Sequence, residues 1–255
     1  MKSLIVHHQH MYDDFVKEVE KYLDSKNVNH EREDRECLTN KCYENIDLII
    51  VIGGDGTFLR ASHLNKDVPM LGINPDTSKK EGFFMLADRT NYKKKIEKIL
   101  KKDYSIIKLL RLQIEINGKK LPHLALNDIY VGDAKPYNLF NYNIKINGEK
   151  EFQRGSGVVI GTPAGSTAWL KSLNGYVMDL QEEKFQFVAR ELYIGRLTPS
   201  YSLKKGLLNK NQVIEITYLT SGILVIDSIT PEIKLKKGGK VKVSASKYRL
   251  NFIKV

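Results

Sequence analysis

Apolar and polar positions change rhythm partway along the chain. In the first third, "SLIV" reads as a short strand, and "MYDDFVKEVEKYLDSK" sets Phe15, Val16, Val19 and Leu23 at helical spacing. "DLIIVIG" is apolar throughout, as in a strand buried on both faces. "TFLRASHLN" then reads as a helix and "PMLGIN" as another strand. "TNYKKKIEKILKKD", with Ile96, Ile99 and Leu100 on one stripe, closes the series as a helix. Strands alternating with helices predict a parallel sheet with helices on both faces.

From about residue 105 the segments shorten and alternate. "KLLRLQIEING", "HLALNDIYVGD", "LFNYNIKINGE", "SGVVIGT", "QVIEITYL", "GILVIDS" and "KVKVSAS" are strand-like and punctuated by turns. "INGK" and "INGE" carry the Asn-Gly of tight hairpins. The expected fold class is therefore α/β: an N-terminal parallel-sheet domain over residues 1–103, then a β-rich second domain over 104–244.

Composition narrows the partners. A chain of 255 residues, 42% hydrophobic and 28% charged, is long enough for one large domain or two modest ones. No apolar run is long enough to span a bilayer and "MKSLIVHHQH" lacks the makings of a signal peptide, so a cytoplasmic protein without membrane contact is expected. The net charge of +11 is spread over scattered lysines, without the aromatic-and-basic pattern of an RNA-binding module. It favours small polyanionic ligands over nucleic acid. Cys37 and Cys42 read as free thiols, since no second ligand pair completes a zinc site. His7, His8 and His10 in "HHQH" follow the first strand and would emerge where α/β ligands bind. A polar loop is the simpler reading; one imidazole contacting phosphate is the functional one.

Three stretches carry chemistry. "GGDGT" puts Gly53, Gly54, Asp55, Gly56 and Thr57 between a buried strand and a helix. The glycines and the helix N-terminus suit phosphate. A carboxylate there makes sense if it holds Mg²⁺ or takes a proton from an attacking hydroxyl; otherwise it is a helix cap. The stretch is neither a P-loop nor a dinucleotide fingerprint. In "RGSGVVIGTPAGSTAWLKSLNG", small and hydroxyl residues (Thr162, Ala164, Gly165, Ser166, Thr167) allow close approach to phosphate or sugar oxygens. Trp169, the one tryptophan of the chain, would either stack on a heterocycle or pack in the core. In "LALNDIYVGD", Asn127 and Asp128 interrupt the apolar alternation, as an adenine- or ribose-binding pair or as a plain turn.

Taken in order, "GGDGT", "EGFF", "ND" and "GSGVVIGTPAGSTAW" make the sequence resemble the NAD kinase family, the ATP- or polyphosphate-dependent kinases that make NADP. The resemblance covers most of the chain. "GGDGT" is shared with diacylglycerol and sphingosine kinases and with phosphofructokinases, so "TPAGSTAW" carries the assignment. The resemblance implies that Asp55 is the general base on the 2′-hydroxyl of the NAD adenosine ribose, with Gly56 lining the pocket. It implies phosphate binding at Gly53, Gly54 and Thr57, and Phe83 and Phe84 packed against the adenine side. Asn127 and Asp128 match a pair, usually Asn-Glu, that grips the diol of the nicotinamide-side ribose. Arg154 matches a basic position ahead of the glycine motif. Ala164, Thr167, Ala168, Trp169 and Ser172 match the dinucleotide-contacting side of "TPTGSTAY".

Also implied are Mg²⁺ or another divalent cation, ATP as co-substrate, and a final segment (245–255) that returns to the first domain. The family's NAD pocket lies between domains and borrows groups from a neighbouring subunit, implying a homodimer or homotetramer. This chain departs from the pattern at three places. Ser156 stands where many members have the aspartate of Gly-Asp-Gly, which predicts a lost charge near the nicotinamide and easier acceptance of NADH. Trp169 replaces the common tyrosine, and "SLNG" replaces "SAGG". The rival readings are a non-catalytic NAD(H) sensor and a lipid or sugar kinase of the same superfamily.

Overall fold

The computed structural model describes residues 1–255 apart from His10, Pro136, Thr198 and Pro199, so the expectation for His10 lies outside the described residues. Internal contacts divide the chain into two compact units, residues 1–108 with 249–255, and residues 109–248.

The first unit contains β1 (Lys2–His7), α1 (Asp13–Ser25), β2 (Asn29–Asp34), β3 (Leu48–Ile52), α2 (Asp55–Ser62), β4 (Met70–Asn74), β5 (Met85–Asp88), α3 (Tyr92–Leu100) and β6 (Ser105–Leu109). Its sheet runs β2-β1-β3-β4, continues through a strand over Leu250–Lys254 to β6, and carries β5 beside β4. The strand over Leu250–Lys254 lies parallel to β4, so the final segment does return to the first sheet. The alternation of side chains along the strands explains the layering. Ile5, Ile50, Ile52, Leu71 and Ile73 share a core with Phe15, Val16 and Val19 of α1 and Ile96 and Ile99 of α3. Ile253 joins that core, whereas its neighbour Phe252 meets the Phe58 ring of α2 edge-on at 5.9 Å. Hence α2 covers the opposite face. β2 ("NHERED") has no apolar signature because it is an edge strand, paired only with β1.

The second unit is built of β7 (Leu112–Ile116), β8 (Lys119–Ala125), β9 (Asp128–Gly132), β10 (Phe140–Ile146), β11 (Glu149–Gly155), β12 (Gly157–Gly161), the short helix α4 (Trp169–Ser172), β13 (Lys184–Arg190), β14 (Lys205–Asn209), β15 (Val213–Tyr218), β16 (Gly222–Ile226), β17 (Ile229–Leu235) and β18 (Lys240–Ala245); the strand over Leu250–Lys254 that re-enters the first unit is β19. Two six-stranded sheets form, ordered β11-β10-β15-β18-β7-β8 and β14-β13-β12-β9-β16-β17. Their inner faces share one core, with Ile114, Ile144, Ile216 and Val243 from the first sheet and Val131, Ile160, Phe187 and Leu224 from the second. At the Asn117-Gly118 and Asn147-Gly148 turns all four residues have φ between 49° and 87°, as two-residue hairpins require. Among the described residues, six connections cross between the two sheets, and the two shortest are one and two residues long. Leu126–Asn127 joins β8 to β9, and Ser156 alone joins β11 to β12. Both crossings fall on residues singled out from the sequence.

Candidate functional site

In the first unit, β3 ends at Ile52 and the backbone turns through Gly53 and Gly54 into α2, whose first residue is Asp55. The Gly54 carbonyl accepts the N–H groups of Thr57 and Phe58 at 3.0 and 3.2 Å, so the backbone itself starts the helix. The Asp55 carboxylate is used elsewhere. Oδ2 accepts the Phe83 N–H at 3.0 Å and Oδ1 accepts the Phe84 N–H at 2.9 Å. The carboxylate is therefore a cross-link between the glycine loop and the "EGFF" turn, held in one orientation and partly open to solvent. Gly82 makes that turn possible: its φ is +72°, and a Cβ there would meet Met85 at 2.9 Å.

The two phenylalanines separate. Phe84 is 1% exposed and its ring stacks on Phe58 at 4.9 Å, so it belongs to the core and reaches the site only through its backbone. Phe58 and Phe252 enclose the Phe84 ring, so the part of this residue at the glycine loop is its backbone N–H. Phe83, 48% exposed, keeps its ring at the surface.

Two cations flank the loop that the sequence alone did not single out. Lys80 Nζ lies 3.7 Å from where a Cβ on Gly54 would stand. Arg35 Nη1 lies 3.9 Å from the equivalent point on Gly56 and donates to Thr57 Oγ1 at 3.4 Å. Their signals were weak: Lys80 hides in a lysine-rich chain, and Arg35 follows the polar edge strand. Thr57 is buried, while Gly56 is exposed. Of the histidines, His7 Nε2 accepts the Arg32 Nε–H at 2.8 Å, and burial, aided by Arg32, pushes its pKa down. His8 Nδ1 sits 3.1 Å from the Met11 sulfur. Among the described residues no cluster of His, Cys, Asp or Glu could by itself hold a metal ion. Cys37 and Cys42 are free thiols.

In the second unit the Asn127–Asp128 corner is enclosed by two neighbours. The Asn127 carbonyl accepts the Thr162 N–H at 2.9 Å, and a Cβ on Gly165 would come within 2.3 Å of that oxygen. From the β16–β17 turn, Asp227 Oδ1 accepts the N–H groups of Asn127 and Asp128 at 2.7 and 2.9 Å, and Oδ2 accepts the Leu126 N–H at 3.0 Å. Asn127 Oδ1 and Asp128 Oδ1 are buried and meet no hydrogen-bond partner among the described residues. Burial, reinforced by the Asp227 charge, pushes the Asp128 carboxyl up to about 8. Two buried acceptors on adjacent residues thus lack a donor among the described residues, which is uncommon in a folded interior.

The second crossing holds Ser156, 4% exposed, whose hydroxyl donates to the Glu191 carboxylate. The Ser156 hydroxyl and Arg190, whose Nη2 lies 3.0 Å from Glu191 Oε1, hold Glu191 below the usual carboxylate range. A carboxylate from 35 residues further along the chain therefore lies against Ser156. Tyr130 links this crossing to Trp169: its hydroxyl donates to the Ser156 carbonyl at 2.6 Å, and its ring lies 5.4 Å from the indole. Trp169 packs half-buried against the Tyr130, Val159, Leu170 and Val188 cluster, with the Arg190 guanidinium 5.3 Å over its ring. Arg154 stacks over Tyr193 at 5.2 Å. Ala164 is buried, Thr167, Ala168 and Ser172 are exposed, and the Ser172 hydroxyl donates to the Trp169 carbonyl at 2.8 Å.

Comparison with known proteins gives a consistent picture. Residues 3–104 match the ATP-NAD kinase N-terminal domain. A probable NADH kinase of Oryza sativa subsp. japonica is 29% identical over 246 residues, covering 88% of this chain and 75% of the rice protein. The NAD kinase of Methanothermobacter thermautotrophicus is 33% identical over 188 residues; the match takes in 71% of this chain and 62% of that protein, under two thirds of its length. The crystal structure of an NAD kinase from Archaeoglobus fulgidus in complex with ATP superposes with a TM-score of 0.81 at 23% identity, over 100% of this chain and 94% of that one, a likeness of fold.

Proposed function

We propose that this chain is an NAD kinase, as its match to the ATP-NAD kinase N-terminal domain over residues 3–104 and its likeness to NAD and NADH kinases support, and that it transfers the terminal phosphoryl group of ATP or polyphosphate to the 2′-hydroxyl of the NAD adenosine ribose, giving NADP. The observation that carries this reading is the Asp55 carboxylate, fixed by the Phe83 and Phe84 N–H groups inside a glycine loop flanked by Lys80 and Arg35. Each Asp55 oxygen spends one lone pair on the backbone and keeps another for the proton of the attacking hydroxyl. As the 2′-oxygen bonds to the terminal phosphorus, Asp55 takes that proton and the bond to the leaving phosphate oxygen breaks.

Gly53, Gly54 and Thr57, with Lys80 and Arg35, serve the phosphates, and Gly56 lines the acceptor pocket. Phe83 offers the ring to adenine, and Asn127 with Asp128 receives the diol of the nicotinamide ribose. Arg154, Ser156, Ala164, Thr167, Ala168, Trp169 and Ser172 complete the dinucleotide contacts. Mg²⁺, or another divalent cation, would neutralise charge on the transferred phosphate. It needs few protein ligands when phosphates supply the rest. A homodimer or homotetramer in the cytoplasm is part of the same reading, with no nucleic-acid or membrane partner. Among the described residues no helix is long and apolar enough to cross a membrane.

The test is a purified-protein assay crossing ATP and polyphosphate with NAD and NADH, read as NADP or NADPH formed. Dinucleotide binding without any phosphorylated product would replace the kinase by a sensor.

A further inference from the structure

The orphaned oxygens at the Asn127–Asp128 corner depend on a residue that the sequence motifs do not include. Asp227 lies in the two-residue turn between β16 and β17, at φ +51°, about a hundred residues from the corner it supports. It is 4% exposed. Both its oxygens point back at the chain crossing, accepting three successive N–H groups from Leu126, Asn127 and Asp128, while its own N–H donates to the Asp128 carbonyl at 2.8 Å. These donors have no ladder partner to replace it, because the backbone there is leaving one sheet for the other. Removing the acceptor would strand them and let the corner relax.

The same carboxylate has an electrostatic effect. Asp128 is 2% exposed, with Oδ1 unpartnered. Its strand neighbour across β12 is Gly161, and on β16 Ile226 pairs with the adjacent Ile129. The 3₁₀ turn over Ala164–Thr167 brings no titratable group. Among the described residues, the charge acting on Asp128 is that of Asp227.

We propose that Asp227 is a positioning residue for the dinucleotide: by accepting three successive backbone N–H groups it fixes the Asn127–Asp128 corner for a ribose diol, and its charge adds to the effect of burial on Asp128. The two diol hydroxyls donate to Asn127 Oδ1 and to the Asp128 carboxyl, whose ionised form is the better acceptor. Binding therefore expels one proton from Asp128 to solvent. This deepens the NAD kinase reading and rests on it. The empty site stays closed to ionisation near neutral pH, and the ligand's own O–H groups open it.

The experiment is calorimetric titration of the full chain with NAD in buffers of differing ionisation heat, which counts protons released per dinucleotide bound. Wild type at about one pH unit below the Asp128 midpoint of about 8 should release close to one proton, and its affinity should rise about tenfold per pH unit up to that midpoint. Asp128→Asn should release none. Asp227→Asn should bind more weakly and release fewer protons, since burial alone holds Asp128 less far up than burial together with the Asp227 charge. A purely structural role for Asp227 would weaken binding and leave the proton count unchanged, and that result would overturn the proposal. If Asp227→Asn does not fold, the comparison of wild type with Asp128→Asn decides, equal release in both being fatal. Failure of wild type to bind NAD, or to form NADP, would overturn the underlying reading; binding without proton release would overturn the role of Asp227 alone.

Discussion

The carboxylate of Asp55 accepts the backbone N–H of Phe84 at 2.9 Å, tying the first residue of α2 to a turn 29 positions further on. The group proposed to receive the proton also fixes the segment that presents Phe83. Asp55→Asn should lower turnover by ~10²–10⁴, the usual range for a lost general base. Its amide also meets a backbone donor where an oxygen stood, at a cost of about 1–3 kcal/mol in stability. Steady-state kinetics with thermal unfolding separates the two losses. Near-wild-type turnover would remove Asp55 from proton transfer.

Phe83 and Phe84 are adjacent yet should respond in opposite ways. Phe84→Ala deletes a ring stacked on Phe58 and should cost about 3–5 kcal/mol of stability. Phe83→Ala should leave stability nearly unchanged and raise the KM for NAD. Chemical denaturation and kinetics on both variants check this; a destabilised Phe83→Ala with normal KM would reverse the assignment.

Glu191 should tune the choice between NAD and NADH. Oxidised nicotinamide carries a positive ring charge and the reduced ring does not. At an effective dielectric of ~20, unit charges ~4–6 Å apart interact by a few kcal/mol before desolvation, so a net effect of about tenfold is reasonable. Glu191→Gln leaves Arg190 without its carboxylate and should shift the kcat/KM ratio about tenfold toward NADH. Ser156→Asp should destabilise the protein, because it sets a second carboxylate against Glu191. An unmoved ratio in Glu191→Gln would place the nicotinamide elsewhere.

Asp128 makes stability depend on pH with a definite sign. Its native pKa of about 8 lies above the ordinary carboxylate value, so between the two the native state holds a proton that the unfolded chain has lost. Stability from this group is complete below the unfolded pKa and falls as pH rises toward 8. Asp128→Asn removes the loss. The Tm of the variant relative to wild type should therefore climb between pH ~4 and ~8, and a constant difference would contradict the buried acid form.

Trp169 fluorescence should change when NAD binds, since the half-buried indole lies beneath Arg190 and beside Tyr130. An unchanged spectrum at saturating NAD would confine Trp169 to packing on its sheet.

Local patterns made much of this molecule readable. α1, β3, α2, β4 and α3 followed from periodicity, and the Asn-Gly hairpins from turn chemistry. β2 was illegible because an edge strand can be wholly polar. Within the candidate site, Asp55, Asn127 and Asp128 stood out as polar residues in apolar or glycine-rich settings. Their supports did not. Asp227 and Glu191 look like ordinary turn and loop carboxylates, and only long-range folding brings them to Asn127 and Ser156. Phe84 shows the converse: a motif position does not tell whether a ring or a backbone N–H is turned to the neighbouring loop.

The place of β19 between β4 and β6 affects how the protein is made. Two strands that could meet early in synthesis are kept apart for a strand that the ribosome delivers only after the whole second unit. Until then the Met70 end of β4, beyond its pairing with β5, and β6 would offer open hydrogen-bonding edges, and the nascent first unit would need shielding from other chains. Cutting the chain before Arg249 would leave that gap permanently, so the glycine loop cannot be borrowed as a stand-alone N-terminal fragment with its native sheet.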